Sequence, residues 1–465
     1  MKASMNLKHQ NEIIDSLLEQ VKPVDFKRLI PDNQSKERYY IIYTIDTLIK
    51  LAENNNWGLC RNQNQIYLYN GMYWAQLDKD TFQNFLRRAS QRMSVPIGSS
   101  RYYQFGERLF RQFMMESYLP TPISNPDVVL INLLNGTYEI HNGIGRLRDF
   151  CSEDFLTYQL PFKYDPKAPT SIFNTYLERV LPDESCRLVL AEYVGSLFIK
   201  TGNSILKEEK ALLLYGTGAN GKSVFFSIVV ALLGKDNVTH HSLQNITNEN
   251  GYHLAQLANK LLNYSSEING KLESSLFKQL VSGEPVTARQ PYCEPFTLTQ
   301  YARLIFNCNE LPKDVEHTDA YFRRFLIIPF NVTIPPEEQD KNLHNKIIER
   351  ELAGVFNWVL AGLDRLLEWK QFSECNVARQ AVEEYKLQSD SVRQFLDEKG
   401  YVTDVEKHIK IPDLYIEYKY FCSDNGCHPV TKPNFIKRLK SCGVEVRLVN
   451  IGNVAHLNQR VFKEE

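Results

Sequence analysis

The stretch Gly216-Thr217-Gly218-Ala219-Asn220-Gly221-Lys222-Ser223 constrains this chain more than any other. It fits the pattern G-x-x-x-x-G-K-S, and its flanks are what that pattern requires. Ala211 to Tyr215 is a short apolar run that predicts a buried strand. Val224 to Leu233 predicts a helix ending at Gly234. A strand, a glycine-rich turn and a helix N-terminus together make an anion cradle. Glycines let the backbone wrap phosphates, and the free N–H groups and helix dipole favour negative charge there. In such a cradle Lys222 reaches the β- and γ-phosphates and the Ser223 hydroxyl ligates Mg²⁺. The expectation is a nucleoside triphosphate site, ATP with Mg²⁺. The alternative, a chance match in a glycine-containing loop, has both flanks against it.

At 465 residues the chain exceeds one core, and about three domains are expected. Its 43% apolar and 23% charged residues are ordinary for a soluble globular protein. The net charge of −1 means that any nucleic-acid site is a local patch or a pore in a ring. The nine cysteines are dispersed and odd in number, which fits reduced thiols in a cytoplasmic compartment. Cys422-x4-Cys427-His428 is the one cluster that suggests metal. It lacks a second pair at zinc-finger spacing, so structural cysteines are expected. The apolar runs fall short of the roughly 20 residues of a membrane helix, and the first 20 residues, of mixed charge, do not read as a signal peptide.

The chain divides into three regions. Residues 1–170 mix helical and strand patterns, an α+β accessory domain. Asn64 to Trp74 predicts a hairpin turning at Asn70-Gly71, and Asn132 to Ile140, with Asn135-Gly136, predicts another. The Pro-rich stretch 161–169 reads as a boundary. Residues 171–388 alternate strands and helices around the glycine loop, the pattern of a parallel α/β sheet. Residues 389–465 predict helices over 391–399, 412–422 and 431–440, then a hairpin turning near Gly452-Asn453. Three helices and a terminal hairpin suggest a winged-helix domain.

A glycine loop alone does not choose among kinases, GTPases, motors and remodelling ATPases. Three later features narrow the choice. Lys260 to Glu267 predicts a core strand ending in a carboxylate, able to hold the Mg²⁺ shell or orient water, though an exposed Glu after a strand is also common. Arg303 to Pro312 predicts a strand that ends in polar residues. Asn309 there is either a donor to the γ-phosphate or a turn former before Leu311-Pro312. Arg323 and Arg324 precede a further apolar strand. They are either a finger reaching a neighbour's γ-phosphate or a solvated pair.

In order and spacing these features resemble the superfamily III helicases, specifically the phage/plasmid primase-helicase and poxvirus-type NTPase family. The matching residues are Gly216 to Ser223; Ser265-Ser266-Glu267-Ile268; Lys278 with Ser282-Gly283-Glu284 and Thr287-Ala288-Arg289; Phe306 to Pro312; and Arg323-Arg324-Phe325 into Ile328-Pro329-Phe330. The resemblance extends upstream to Asn70 to Trp74, Asn135-Gly136 and Tyr164 to Ala168, and downstream to Ser389-Asp390-Ser391-Val392. It implies an AAA+-like ATPase forming a homo-oligomeric, hexameric ring. Such a ring translocates on single-stranded and forked DNA, usually 3′ to 5′, during replication of a phage or mobile element in the host cytoplasm. It implies that Lys222 and Ser223 hold nucleotide and metal, that Glu267 activates water and shares the metal, that Asn309 senses the γ-phosphate, and that Arg323 or Arg324 is the trans finger. Ser266 stands where many members have a second acid. Gln290 to Pro295 stands where relatives often present a pore lysine, so Tyr292 stacking on a base, with charge from Lys278 and Arg289, is the expected replacement. Many relatives carry a primase-polymerase domain ahead of this region. The stretch before residue 40 is too short for one, so priming is expected from a separate primase or polymerase.

In the last region Lys432, Lys437, Arg438, Lys440, Arg447 and Arg460 face only Glu445 among acids. Lys432, Lys437, Arg438 and Lys440 are therefore candidate DNA contacts, against a simply solvated basic helix. The rival readings are a ring ATPase that remodels proteins or packages DNA, and a replication initiator or loader that unwinds little.

Overall fold

The computed structural model describes residues 2–30, 36–62, 64–120, 122, 125, 127–200, 209–248, 250–266, 268, 274–291, 293–312, 316–426, 428–449 and 452–459. The first 120 residues form a packed unit of their own. Helices α1 (Lys2–Gln20), α2 (Lys36–Asn54), α3 (Lys79–Arg92) and α4 (Tyr103–Glu116) close over Leu17, Ile45, Leu48, Phe82, Phe85 and Leu109. An antiparallel sheet of β1 (Gly58–Asn62), β2 (Gln65–Tyr69) and β3 (Trp74–Leu77) packs with them. The turn expected at Asn70-Gly71 joins β2 to β3. Asn70 Oδ1 accepts from the Met72 and Tyr73 amides at 3.0 and 2.9 Å, the self-bonding that makes Asn a turn former.

A second antiparallel sheet follows: β4 (Val128–Leu133), β5 (Gly136–His141) and β6 (Ile144–Arg148). The expected hairpin is β4–β5. The added strand β6 is exposed along most of its length, so it carried no alternation to read. This sheet belongs with what comes after it. Val129, Ile131, Ile140, Leu156, Leu160 and Phe162 share one buried cluster with Phe173, Val194, Leu212, Leu214 and Ile228. The stretch 161–169, expected as a boundary near residue 170, lies inside that packing. A Cβ on Gly354 would sit 2.0 Å from the Pro169 carbonyl oxygen, and Asn357 Nδ2 donates to the Asp165 carbonyl at 2.9 Å. Proline fixes φ in a packed crossing as well as in a linker, so a Pro-rich run is consistent with either.

The next elements are α5 (Ser171–Val180), α6 (Glu184–Ser196), β7 (Ala211–Tyr215), α7 (Lys222–Leu233), β8 (Val238–Thr239), β9 (Leu262–Ser265), α8 (Ser274–Ser282), β10 (Val286–Ala288), β11 (Phe296–Leu298), β12 (Arg303–Cys308), α9 (Asp319–Phe322), β13 (Phe325–Pro329), α10 (Leu352–Trp369) and α11 (Asn376–Gln388). Five strands make a sheet in the order β13-β7-β12-β9-β8, each neighbouring pair parallel. Alternate residues face opposite sides: Leu212 and Leu214 join one buried cluster and Ala211 and Leu213 the other. Covered on both faces, β7 reads as an unbroken apolar run. Strands β10 and β11 form a separate antiparallel hairpin.

Helix α6 crosses α10 with little between the backbones. A Cβ on Gly362 would meet the Ala191 carbonyl carbon at 2.4 Å, and one on Gly195 the Leu363 Cβ at 2.8 Å. Glu351, 2% exposed, caps the start of α5 from across the fold. Its carboxylate accepts from the Ile172 and Phe173 amides at 2.9 and 2.8 Å and from Ser171 Oγ at 3.1 Å. Thr170, at the N-cap position, makes no such bond. Glu351→Ala leaves two helix-start amides without an acceptor. The expected cost is about 1–3 kcal/mol, read as a lower midpoint in thermal unfolding; an unchanged midpoint refutes the cap.

The last region holds α12 (Ser391–Glu398), β14 (Tyr401–Thr403), β15 (Ile409–Lys410), α13 (Ile411–Asp424), α14 (Lys432–Ser441), β16 (Val446–Val449), β17 (Gly452–Ala455) and β18 (Leu457–Gln459). The three helices stand where the sequence places them, around Val392, Phe395, Leu414, Tyr418, Phe435 and Leu439. Val449 pairs with Gly452 and Leu448 with Asn453, so Gly452 and Asn453, expected near the turn, already belong to the second strand of the hairpin. Cys422 is buried in this core; its candidate metal partner Cys427 lies outside the described residues. Among the described residues no helix is long and apolar enough to cross a membrane.

Candidate functional site

Residues 216–221 join β7, the second strand of the sheet, to the start of α7. The loop needs glycine at two points. Gly216 has φ +154°, and a Cβ there would lie 2.4 Å from the Phe330 carbonyl oxygen. Gly221 has φ +88°, and its Cβ would strike Val180 Cγ1 at 2.7 Å. The loop is anchored on three sides. Gly216 N donates to the Cys308 carbonyl at 3.1 Å. Asn220, 3% exposed, donates through Nδ2 to the Thr217 carbonyl and, at 3.0 Å, to the Phe330 carbonyl. Tyr176 OH, on α5, donates to the Gly221 carbonyl at 2.9 Å. Asn220 occupies a position that the motif leaves free, and Tyr176 lies 45 residues upstream; neither clamp has a local signal in the sequence.

Lys222 turns back over this loop. Its Nζ donates to the Gly216 carbonyl, to the Thr217 carbonyl at 3.2 Å and to Asn220 Oδ1 at 3.1 Å. All three acceptors are neutral, and burial pushes the ammonium pKa below its ordinary value. A buried cation without a carboxylate partner among the described residues favours an anion. Ser223 is exposed on the first turn of α7. This donor set fits a polyphosphate with a divalent cation: backbone N–H groups, an uncompensated ammonium and a free hydroxyl at a helix N-terminus.

The polar end of β12 comes to the same sheet edge. Cys308 is paired with Tyr215, so Asn309, exposed, emerges beside the loop. Strand β9 ends at Ser265 on the far side of β12, with Ser265 opposite Phe306. Glu267, two residues on, lies outside the described residues. In the core behind this edge Tyr264 OH bonds Asn307 Oδ1 at 3.0 Å.

The two arginines separate. Arg323 is exposed; its carbonyl accepts from Lys210 Nζ at 2.7 Å and its amide donates to the Asp319 carbonyl at 3.0 Å. Arg324 is 8% exposed and held within the chain: by the Ala320 carbonyl at 2.5 Å, Ser282 Oγ at 3.1 Å and Glu209 at 3.3 Å. Both precede β13, whose first residue Phe325 is level with Ala211, the start of β7. They therefore stand at the opposite end of the sheet from their own glycine loop, roughly 15 Å away along a five-residue strand.

The candidate DNA contacts are also unequal. Arg289 is exposed at the base of the β10–β11 tip, and its Nε donates to the Cys293 carbonyl at 3.2 Å. Tyr292 lies outside the described residues. Lys278 is not a free charge: Glu316 accepts from its Nζ at 2.7 and 3.0 Å. On α14, Lys432, Lys437 and Lys440 are exposed. Arg438 instead points back to Asp390 at 3.3 Å, which ties α14 to the start of α12. Arg447 pairs with Glu445 at 2.7 Å, and Arg460 lies outside the described residues.

Residues 46–182 match a family described as D5 N terminal like. Residues 214–324, which contain the glycine loop and Asn309, match a family of unknown function, DUF5906. A helicase-named protein of Acanthamoeba polyphaga mimivirus is 25% identical over 349 residues, covering 66% of this chain and 35% of its own length. A helicase-named protein of Invertebrate iridescent virus 3 is 25% identical, covering 71% of this chain and 39% of its own length. A primase-named protein of African swine fever virus is 22% identical, covering 63% and 32%. The chain thus spans about a third of the length of these curated relatives. Among solved structures, the apo NrS-1 C terminal region is 14% identical, covers 89% of this chain and 98% of its own, and superposes with a TM-score of 0.48. A D5 N terminal like segment and helicase- and primase-named viral relatives aligned along most of its length support a protein of the phage and viral primase-helicase kind.

Proposed function

We propose that the chain is an ATP-dependent DNA helicase of the superfamily III type. Its AAA+-like P-loop ATPase works as a homo-oligomeric ring, hexameric by family resemblance, on single-stranded and forked DNA. The observation that carries this reading is the division of the parallel sheet. The glycine loop, Asn309 and the end of β9 gather at one edge, while exposed Arg323 stands at the other. An arginine there cannot serve its own site, but it is available to a neighbour's, which is what a ring requires.

The residues have separate tasks. The loop amides and Lys222 hold the β- and γ-phosphates, and Asn220 and Tyr176 keep the loop in shape. Ser223 and Glu267 would hold a Mg²⁺ ion, which would supply charge neutralisation for the transferring phosphoryl group. Glu267 orients water, Asn309 donates to the γ-phosphate, and Arg323 acts in trans. The C-terminal three-helix unit is a winged helix that offers Lys432, Lys437 and Lys440 to DNA phosphates, while Arg289 lines the pore.

Steady-state ATP hydrolysis with and without single-stranded DNA tests this reading, with Lys222→Ala as blank. Hydrolysis that rises with DNA and disappears in the blank supports a DNA motor. Hydrolysis indifferent to DNA favours a protein-remodelling ATPase, and none above the blank removes the enzyme reading altogether.

A further inference from the structure

Arg303 opens β12 at the sheet edge away from the glycine loop. The residue is half-buried, and its Nε is sealed from solvent without a hydrogen-bond partner. No carboxylate among the described residues forms an ion pair with it. A guanidinium keeps its charge at any ordinary pH and presents five N–H donors. Burying one of those donors without an acceptor is costly, so a fold that retains it has reason to meet an anion there.

Arg303 lines a cavity of about 80 Å³ with Lys200, Lys260, Thr157 and Gln300. Burial holds all three cations below their ordinary pKa values. Lys260 Nζ gives one hydrogen bond to the Asp236 carbonyl at 2.7 Å, which leaves it two N–H groups. The charge of Asp154 acts on Lys200 in the opposite sense to burial, raising its pKa. A space of this size holds more than one water-sized group, and three cations converge on it. The walls come from the segment after the β4–β6 sheet, the residues following α6, and the starts of β9 and β12. An occupant therefore touches three parts of the fold at once.

We propose that this cavity binds a phosphate group through Arg303, Lys200 and Lys260, separately from the glycine loop. The two lie at opposite ends of β12, roughly 15 Å apart along the strand. The phosphate is either a free anion or one unit of a nucleic-acid backbone. The chemistry is the same: guanidinium and ammonium donors around phosphate oxygens.

The test is thermal unfolding of the full chain with inorganic phosphate, chloride replacing it at constant ionic strength. Wild type and Lys222→Ala are expected to rise alike and saturably, because an anion that binds only the folded state stabilises it. Arg303→Gln is expected to abolish the rise. Lys260→Gln, which keeps the guanidinium, is expected to raise the half-maximal phosphate concentration about tenfold, as loss of one charged hydrogen bond does. If Arg303→Gln does not fold, Lys200→Gln and Lys260→Gln carry the test. Repeating the titration in Lys222→Ala with a short oligothymidylate separates the sources. A rise that Arg303→Gln removes assigns a backbone phosphate; a rise with inorganic phosphate alone assigns a free anion. The proposal falls if wild type does not respond, or if the response is lost in Lys222→Ala and kept in Arg303→Gln.

Discussion

Lys222→Ala is expected to lower ATP turnover by at least about 10³-fold while leaving the fold intact. Removing a single neutral donor from a developing negative charge already costs about 10²–10³ in rate, and this donor is a full charge in a partly buried site. Stability should hardly change. The three acceptors that Lys222 engages are a side-chain amide and two loop carbonyls, and the loop keeps its own anchors through Asn220, Tyr176 and the Cys308 carbonyl. Taking away a buried ammonium with no carboxylate partner among the described residues also relieves a desolvation cost. The measurement pairs steady-state phosphate release with thermal unfolding. Turnover within tenfold of wild type would remove Lys222 from the reacting site, and a lost fold would make it a structural residue.

Arg323→Ala and Arg324→Ala are expected to fail in different ways. Arg323 is exposed, so its truncation should leave the unfolding midpoint unchanged yet cost about 10³–10⁵ in turnover, the usual worth of an arginine finger. Arg324 is buried on Ala320, Ser282 and Glu209. Its truncation strands these acceptors and should cost about 1–3 kcal/mol of stability, with any loss of turnover following the loss of fold. Mixing adds a decisive arm. Arg323→Ala subunits keep an intact glycine loop, and Lys222→Ala subunits keep an intact Arg323. If the finger works across an interface, a mixture of two inactive proteins regains turnover at interfaces that combine the intact halves. Arg323→Ala with wild-type turnover, or a mixture that stays silent under conditions where wild type assembles, rejects the trans assignment.

Much of the candidate site was legible because it is local. Strand, glycine turn and helix follow one another within Ala211 to Leu233, and the conformations at Gly216 and Gly221 admit no side chain. The C-terminal helices were legible for the same reason: Phe435 and Leu439 on α14 are four residues apart, one turn of one face. Strand β6 was not legible, because most of it is exposed and so lacks an apolar period.

What the sequence by itself determined is the glycine loop with its flanking strand and helix, the two N-terminal hairpins and the order of strands in which the resemblance to primase-helicases lies. Those are properties of neighbouring residues. What only the tertiary structure decided lies in contacts between residues far apart. Arg323 and Arg324 are adjacent in the chain, yet one faces water and the other is closed by Ser282, 42 residues upstream. Lys278 is neutralised by Glu316, 38 residues away. The Pro-rich run 161–169 is pinned against α10 through the Asp165 and Pro169 carbonyls, although most of its side chains stay exposed. A charge's partner and a segment's burial depend on what folds back onto it, and no local pattern of residue types carries that information.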